Sequence, residues 1–351
     1  QANRVFNPEN MYAAMTRIAC SSAYFIAITL LLRDYAAVEW GIYRIHYDRI
    51  DSYDIVAAII YIAIAATVVP RRIYSPSSLF LIICYLFIII PAAVCLLAMD
   101  GGSGVNRYAT LFAILFAFAA SALFSRTTNE EAWVSADRQP VAAFGPVLLV
   151  LSGLVLIFLF YRFGSIMSFA GLDNLYEQRE RGDAANFIEG YAQTYSQYVF
   201  STGLFAYGLY RKNIIYVAFG LLGSLTNFAI TAEKAGVMYP VFIGCLYAAL
   251  ALKNPIFVSV NSIMIAFSVI LTVANYTRYE LPAADFICWY FGTRTVLTPG
   301  LFIAHYTDFF WDRGYTYFSH IRGFNIFIPI PAQYLSDPRW PAIGLLVGED
   351  F

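Results

Sequence analysis

Charge is scarce in this chain. Only 13% of its 351 residues are Asp, Glu, Lys or Arg, and the formal net charge is -1. An ordinary soluble domain carries about 25%. A balance so near zero excludes the basic footprint of a nucleic-acid binder. Lysine is rarest, with Lys212, Lys234 and Lys253 set against nineteen arginines. Histidine occurs three times, as His46, His305 and His320, all outside the clear apolar runs. The five cysteines (Cys20, Cys84, Cys95, Cys245 and Cys288) lie in or beside apolar runs at no metal-ligand spacing. They read as small buried hydrophobes, not as a disulfide framework or a zinc site. No internal repeat, low-complexity tract, soluble domain or cleavable signal peptide is legible.

What is present is apolar. Hydrophobic residues make up 60% of the chain. Water cannot accommodate that much apolar surface, whereas a bilayer can. The expected fold is all-α: a polytopic integral membrane protein with about nine to ten transmembrane helices and long extracytoplasmic loops. Residues 1–351 read as a single transmembrane domain. The nine runs are 14–32, 54–69, 78–98, 108–124, 143–161, 195–210, 213–230, 237–252 and 256–276. A tenth run begins at Pro341, as expected of a piece of a longer chain. Residues 285–310 are apolar and aromatic but contain charges, so they read as interfacial or partly re-entrant.

Short basic turns set the orientation. Pro70-Arg71-Arg72, Arg126 with Arg138, Arg211-Lys212 and Lys253 fall on one side by alternation, which is then the cytoplasmic side. The opposite side receives residues 162–194 and 277–340 as its longest loops. By count it also holds thirteen basic residues, from Arg33 to Arg339. Binding of an anionic ligand would account for them, because guanidinium groups suit phosphate and carboxylate.

Four stretches carry candidate chemistry. Gly101-Gly102-Ser103-Gly104 has the form of a membrane serine protease motif, but no later run supplies the histidine such a serine needs; a flexible turn is the better reading. Residues 173–183 pair Glu177 with Arg181 and Arg179 with Asp183 at helical spacing, which suits either a solvated ion-paired surface or a diphosphate grip. Lys234, in the short turn Thr231–Gly236, either snorkels to headgroups or neutralises a lipid-linked pyrophosphate. Residues 277–313 bring Arg278, Glu280, Asp285, Arg294, His305, Asp308, Asp312 and Arg313 into aromatic surroundings. Charges there close an ion-pair network or serve function. On a helix, His305, Asp308 and Asp312 would share a face.

The order of these features resembles the bacterial O-antigen or oligosaccharide repeat-unit polymerases. The likeness rests on Tyr176-Glu177-Gln178-Arg179-Glu180-Arg181, Ala232-Glu233-Lys234-Ala235-Gly236, the run Gly292–Gly300, and Tyr306-Thr307-Asp308-Phe309-Phe310. It covers residues 145–351. Some of these polymerases carry an arginine, ten residues and a glycine in each of two outer loops. Arg179 and Gly190 match the first, but no arginine of the second loop has a glycine eleven residues on.

The resemblance implies a metal-independent membrane glycosyltransferase of the lipid-sugar-using helical type, without cofactor, in the bacterial inner membrane. Its active site would face the periplasm, in loops 162–194 and 277–340. It would transfer a growing glycan from undecaprenyl pyrophosphate to a hydroxyl of an incoming lipid-linked repeat unit. A chain-length regulator protein is an implied partner, alongside membrane lipid. Arg179, Lys234, Arg278 and Arg294 are the candidates for holding pyrophosphate. Asp308 or His305 is the candidate base, and the sequence does not choose between them. The rival readings are an O-antigen ligase or another lipid-sugar transferase, and a flippase or transporter of lipid-linked sugars.

Overall fold

A computed structural model describes residues 8–39, 50–71, 73, 75–98, 104–127, 144–168, 178, 186–233, 235–251, 259–321, 326–338, 340, 342–344 and 347. Among these residues the chain is helical, with no strand. It is a multi-pass membrane protein: among the described residues six helices are long and apolar enough to cross a bilayer. The described residues group into two compact units, one from residues 1–134 and 255–351, the other from 135–254.

The first unit contains α1 (residues 8–39), α2 (Ser52–Val68), α3 (Pro76–Ala98), α4 (Gly104–Thr127), α9 (Val260–Thr277) and α10 (residues 282–313). Its centre is α3. This helix is apolar all round, which fits burial on every side, and all of Ile90–Ala98 is buried. Ser75 starts it with a capping box: its Oγ accepts from the Ser78 amide while Ser78 Oγ accepts from the Ser75 amide. Pro76 follows at the first helical position, where its missing N–H costs nothing. A π turn at Tyr85–Ile89 comes just before Pro91. Proline lacks the amide a continuous helix would use and crowds the carbonyl one turn back, so the backbone widens there.

Bonds at the helix ends sort this unit into two faces. At one, the Val260 amide donates to Arg71 O (3.2 Å) and Ser125 Oγ to Ser77 Oγ (3.0 Å). At the other, Tyr108 OH donates to Asp54 Oδ1 (2.6 Å) and Asn275 Nδ2 to Asp34 Oδ2 (3.2 Å). Between them α1 lies along α9, with Tyr24, Ile28 and Leu31 buried against a core that includes Met264 and Leu271.

Where the sequence suggests an interfacial stretch, the structure has one continuous helix, α10. Its residues 287–297 are π-helical and the rest is α-helical. Cys95 Sγ donates to Leu297 O (3.7 Å), and a Cβ on Gly300 would stand 2.7 Å from the carbonyl carbon of Pro91. The second half of α10 therefore runs antiparallel to α3 at a spacing only glycine permits, and it enters the bundle. After α10 the chain turns sharply. Tyr317 (φ 49°) and Phe318 (φ 66°) are both left-handed, which costs about 1–2 kcal/mol for each such residue.

The second unit contains α5 (Phe144–Phe163), α6 (residues 187–211), α7 (Ile214–Thr231) and α8 (Ala235–Ala251). Helices α6 and α7 form a tight hairpin. Lys212 takes a left-handed conformation (φ 52°) and Asn213 Oδ1 accepts from the Ile215 amide (2.9 Å). Gly220 lets the two helices touch: a Cβ there would lie 2.6 Å from the Phe205 nitrogen.

Candidate functional site

The candidate cations fare differently. Arg278 sits just past the end of α9, half-buried. Its Nη1 donates to Asn275 O (2.5 Å) and Asn275 Oδ1 (2.6 Å), and its Nη2 donates to Asp34 O (2.8 Å) and Tyr279 OH (2.7 Å). The guanidinium also stacks 4.4 Å from the Tyr279 ring centre. Its donors are committed to tying α9 to α1. Arg294 lies on the π-helical part of α10. It is exposed, with its guanidinium carbon 5.8 Å from the Trp289 ring centre.

His305 and Asp308 follow on the same helix. α10 is helical through Arg313, so His305, Asp308 and Asp312 do share a face. Along it, burial falls away: His305 is buried, Asp308 half-buried and Asp312 exposed. An imidazole and a carboxylate one turn apart in a protected setting can hold or move a proton. Arg313 lies 3.9 Å from Asp337 and over Phe309 (5.3 Å to the ring centre).

Arg179 and Lys234 lie outside the described residues, as do Ser103 and the acidic and basic residues of 173–183. Their sequence neighbours Gln178 and Glu233 both belong to one end of α7. Gln178 Nε2 donates to the carbonyls of Ala229 and Ser168, and Glu233 Oε2 accepts from Gln197 Nε2 (3.1 Å). Among the described residues no three His, Cys, Asp or Glu side chains come together as a metal would require.

The second unit contains a polar seam that the run-by-run reading missed. Glu189, Gln193, Gln197 and Ser201 recur every four residues along α6, and all are buried. That spacing places them on one helix face, and it is legible in the sequence. They meet polar residues of α7, where buried Asn227 donates through Nδ2 to Ser196 Oγ (2.9 Å). A π turn at Ser196–Ser201 runs through the seam. Gln193 Nε2, Ser201 Oγ and Asn227 Oδ1 have no hydrogen-bond partner among the described residues. At its end, Glu189 pairs with Arg162 of α5 and accepts from the Asn186 amide (2.9 Å). The backbone bond from Asn186, followed by Arg162, holds this carboxyl below the usual range.

Beyond α10 a cavity of about 420 Å³ is lined by Tyr306, Phe310, Tyr315, Thr316, Tyr317, Phe318, His320 and Ile343. Thr316 Oγ1 and His320 Nδ1 are 3.0 Å apart. Tyr334, packed beside it on Phe309 and Trp340, donates to Gly314 O (2.6 Å) and holds the turn against the helix.

No protein-family model, no curated protein and no solved structure matches this chain.

Proposed function

We propose that this protein is a glycosyltransferase of lipid-linked sugars. In this reading it polymerises oligosaccharide repeat units at the outer face of a bacterial inner membrane. The donor is a glycan on undecaprenyl pyrophosphate, and the acceptor is a hydroxyl of a second lipid-linked unit. Nine to ten crossings and an outward-facing loop 162–194 belong to the same proposal; the second expected outer loop, 277–340, is replaced by α10, whose fit along α3 carries it into the bundle.

The observation that carries it is α10. One helix of a multi-pass membrane protein presents an exposed guanidinium, Arg294, and further along it a buried imidazole, His305, and a half-buried carboxylate, Asp308. Breaking an anomeric C–O bond leaves charge on a pyrophosphate. A preplaced cation stabilises that charge, and one well-aimed donor contributes a factor of about 10²–10³ in rate. The acceptor hydroxyl loses its proton, for which Asp308 or His305 is the proposed base on the same element. Arg179 and Lys234 join the anion site in this proposal. Arg278 serves as the strut that keeps α9 on α1.

One observation favours a second reading. Buried polar side chains inside membrane helices mark solute pathways in transporters, and Gln197 and Ser201, the part of the seam within the sixth apolar run, are of that kind. A flippase of lipid-linked sugars would use it. Reaction of the purified protein with lipid-linked repeat units separates the two. A transferase yields a ladder of lengthened glycans in detergent, where no compartment exists. A flippase yields none and moves the lipid only across a sealed membrane.

A further inference from the structure

We infer that the second unit holds a buried sodium site, where α5, α6 and α7 bring together oxygens of Ser152, Ser201 and Asn227. The inference stands apart from the transferase reading and involves no contact with the glycan. All three side chains are buried, and Ser152 Oγ, Ser201 Oγ and Asn227 Oδ1 have no hydrogen-bond partner among the described residues. Both α5 and α7 are long and apolar enough to cross a bilayer, and Ser152 lies near the middle of α5. Open polar atoms inside a membrane bundle are costly, so they call for an occupant.

Gly223 of α7 is the point of convergence. A Cβ on it would strike Ser201 Oγ and lie 3.7 Å from Cδ2 of Leu156, one turn beyond Ser152 on α5. The Gly223 carbonyl accepts from Asn227 Nδ2 (2.8 Å). Cδ2 of Leu148, one turn before Ser152, would lie 3.4 Å from a Cβ on Gly203 of α6. Ser152 therefore stands between two contacts of α5 with its neighbours.

The two serines behave unlike other helical hydroxyls of this chain. Thr194, Thr202, Thr231 and Ser268 each donate to the carbonyl one turn back, a bond open to any helical hydroxyl. Ser152 and Ser201 do not. Asn227 spends Nδ2 on Ser196 Oγ (2.9 Å) and Gly223 O, which leaves its oxygen as the open end. A π turn at Ser196–Ser201 distorts α6 at this level, and such turns recur at functional sites.

Chemistry chooses the occupant. Hard cations take oxygen ligands, and the three open atoms are uncharged oxygens. Without a carboxylate among them a divalent ion would stay uncompensated. Helices packed this closely favour a small monovalent ion, and sodium fits. Glu233, just past the C-terminus of α7, draws cations toward the seam. Gln197 Nε2 holds its Oε2 at 3.1 Å, and the helix end adds negative dipole. Gln193 Nε2, an open donor two turns from Ser201, belongs to the approach and not to the ion's shell.

The test uses the full chain in detergent, with melting temperature and binding of radioactive sodium as readouts. Sodium chloride in place of choline chloride, at equal ionic strength, should raise the melting temperature by several degrees, and sodium should bind saturably. Ser201→Ala and Ser152→Ala should each weaken sodium binding about tenfold or more and lose the sodium-dependent shift. In choline both should melt at or above the wild type, because a buried hydroxyl without a partner costs stability. Thr202→Ala, next to the site on α6, should keep the shift. A wild type that melts alike in sodium and choline and binds no sodium holds only water there, which overturns the site. Sodium binding unchanged in both serine variants overturns it as well.

Discussion

The backbone amide of Val260 donates to the carbonyl oxygen of Arg71 at 3.2 Å. That bond joins the start of α9 to the basic turn after α2, residues almost two hundred positions apart. Ser125 and Ser77 meet on the same face, while Asp54, Tyr108, Asp34 and Asn275 meet on the opposite one. Cysteine labelling checks the two faces, in a background whose native cysteines are replaced. Ser52→Cys should react with an impermeant maleimide added from outside, and Ser125→Cys only after permeabilisation. Reaction of both from one side would refute the arrangement.

Arg278 is predicted to act through stability. Removing it leaves the Asp34 carbonyl and the Asn275 amide short of donors, at a cost of about 1–3 kcal/mol. Arg278→Ala should lower the melting temperature, and activity should fall only as far as the amount of folded protein does. A normal melting temperature with abolished activity would instead place Arg278 on the substrate.

Close packing of α6 on α7 makes a paired prediction. A Cβ on Gly220 would lie 2.6 Å from Phe205 N and 2.7 Å from Ser201 O, whereas nothing lies within 4 Å of one on Gly153. Gly220→Ala should destabilise by about 1–3 kcal/mol, the usual cost of overpacking. Gly153→Ala should be neutral or slightly stabilising, because alanine is the better helix former. Equal melting temperatures for the two variants would contradict the hairpin.

Glu189 gives a pH dependence. Its carboxyl is held below the usual range in the folded protein, first by the Asn186 amide and then by Arg162. A depressed folded pKa means stability that is present above the unfolded value, about 4.3, and lost as pH falls through the folded value. The melting temperature of the wild type should therefore drop more steeply below about pH 4.3 than that of Glu189→Gln. Parallel curves would show that this carboxylate contributes nothing.

Much of the fold was legible because hydrophobic runs announce helices. Each of the nine apolar runs is helical where it is described, apart from the end residues Val69, Asn213 and Ser259. The predicted start at Ser78 moved to Pro76 because Ser75 and Pro76 carry the cap, a signal that hydropathy ignores. α10 was harder to read, because Asp285, Arg294, Asp308 and Asp312 interrupt its apolar character. What makes it a helix is its fit against α3 at Gly300, a tertiary contact with no local signature. The seam escaped notice for a different reason: Glu189, Gln193, Gln197 and Ser201 straddle the edge drawn at residue 195, so a stripe of period four was divided between a loop and a span. At the site, residue types pointed to Arg278 and Arg294 alike. The bonds to Asn275 and Asp34 mark Arg278 as a strut.

The most direct measurement of the central claim is the glycan ladder made by purified protein from lipid-linked repeat units, compared for wild type, Arg294→Lys and Arg294→Ala at equal folded protein. Lysine keeps the charge but loses the planar fork that grips two phosphate oxygens. The account predicts a ladder from wild type, a sharply shortened one from Arg294→Lys, and a rate for Arg294→Ala lower by about 10²–10³. Full-length ladders from a well-folded Arg294→Ala protein, or no ladder from the wild type, would contradict it.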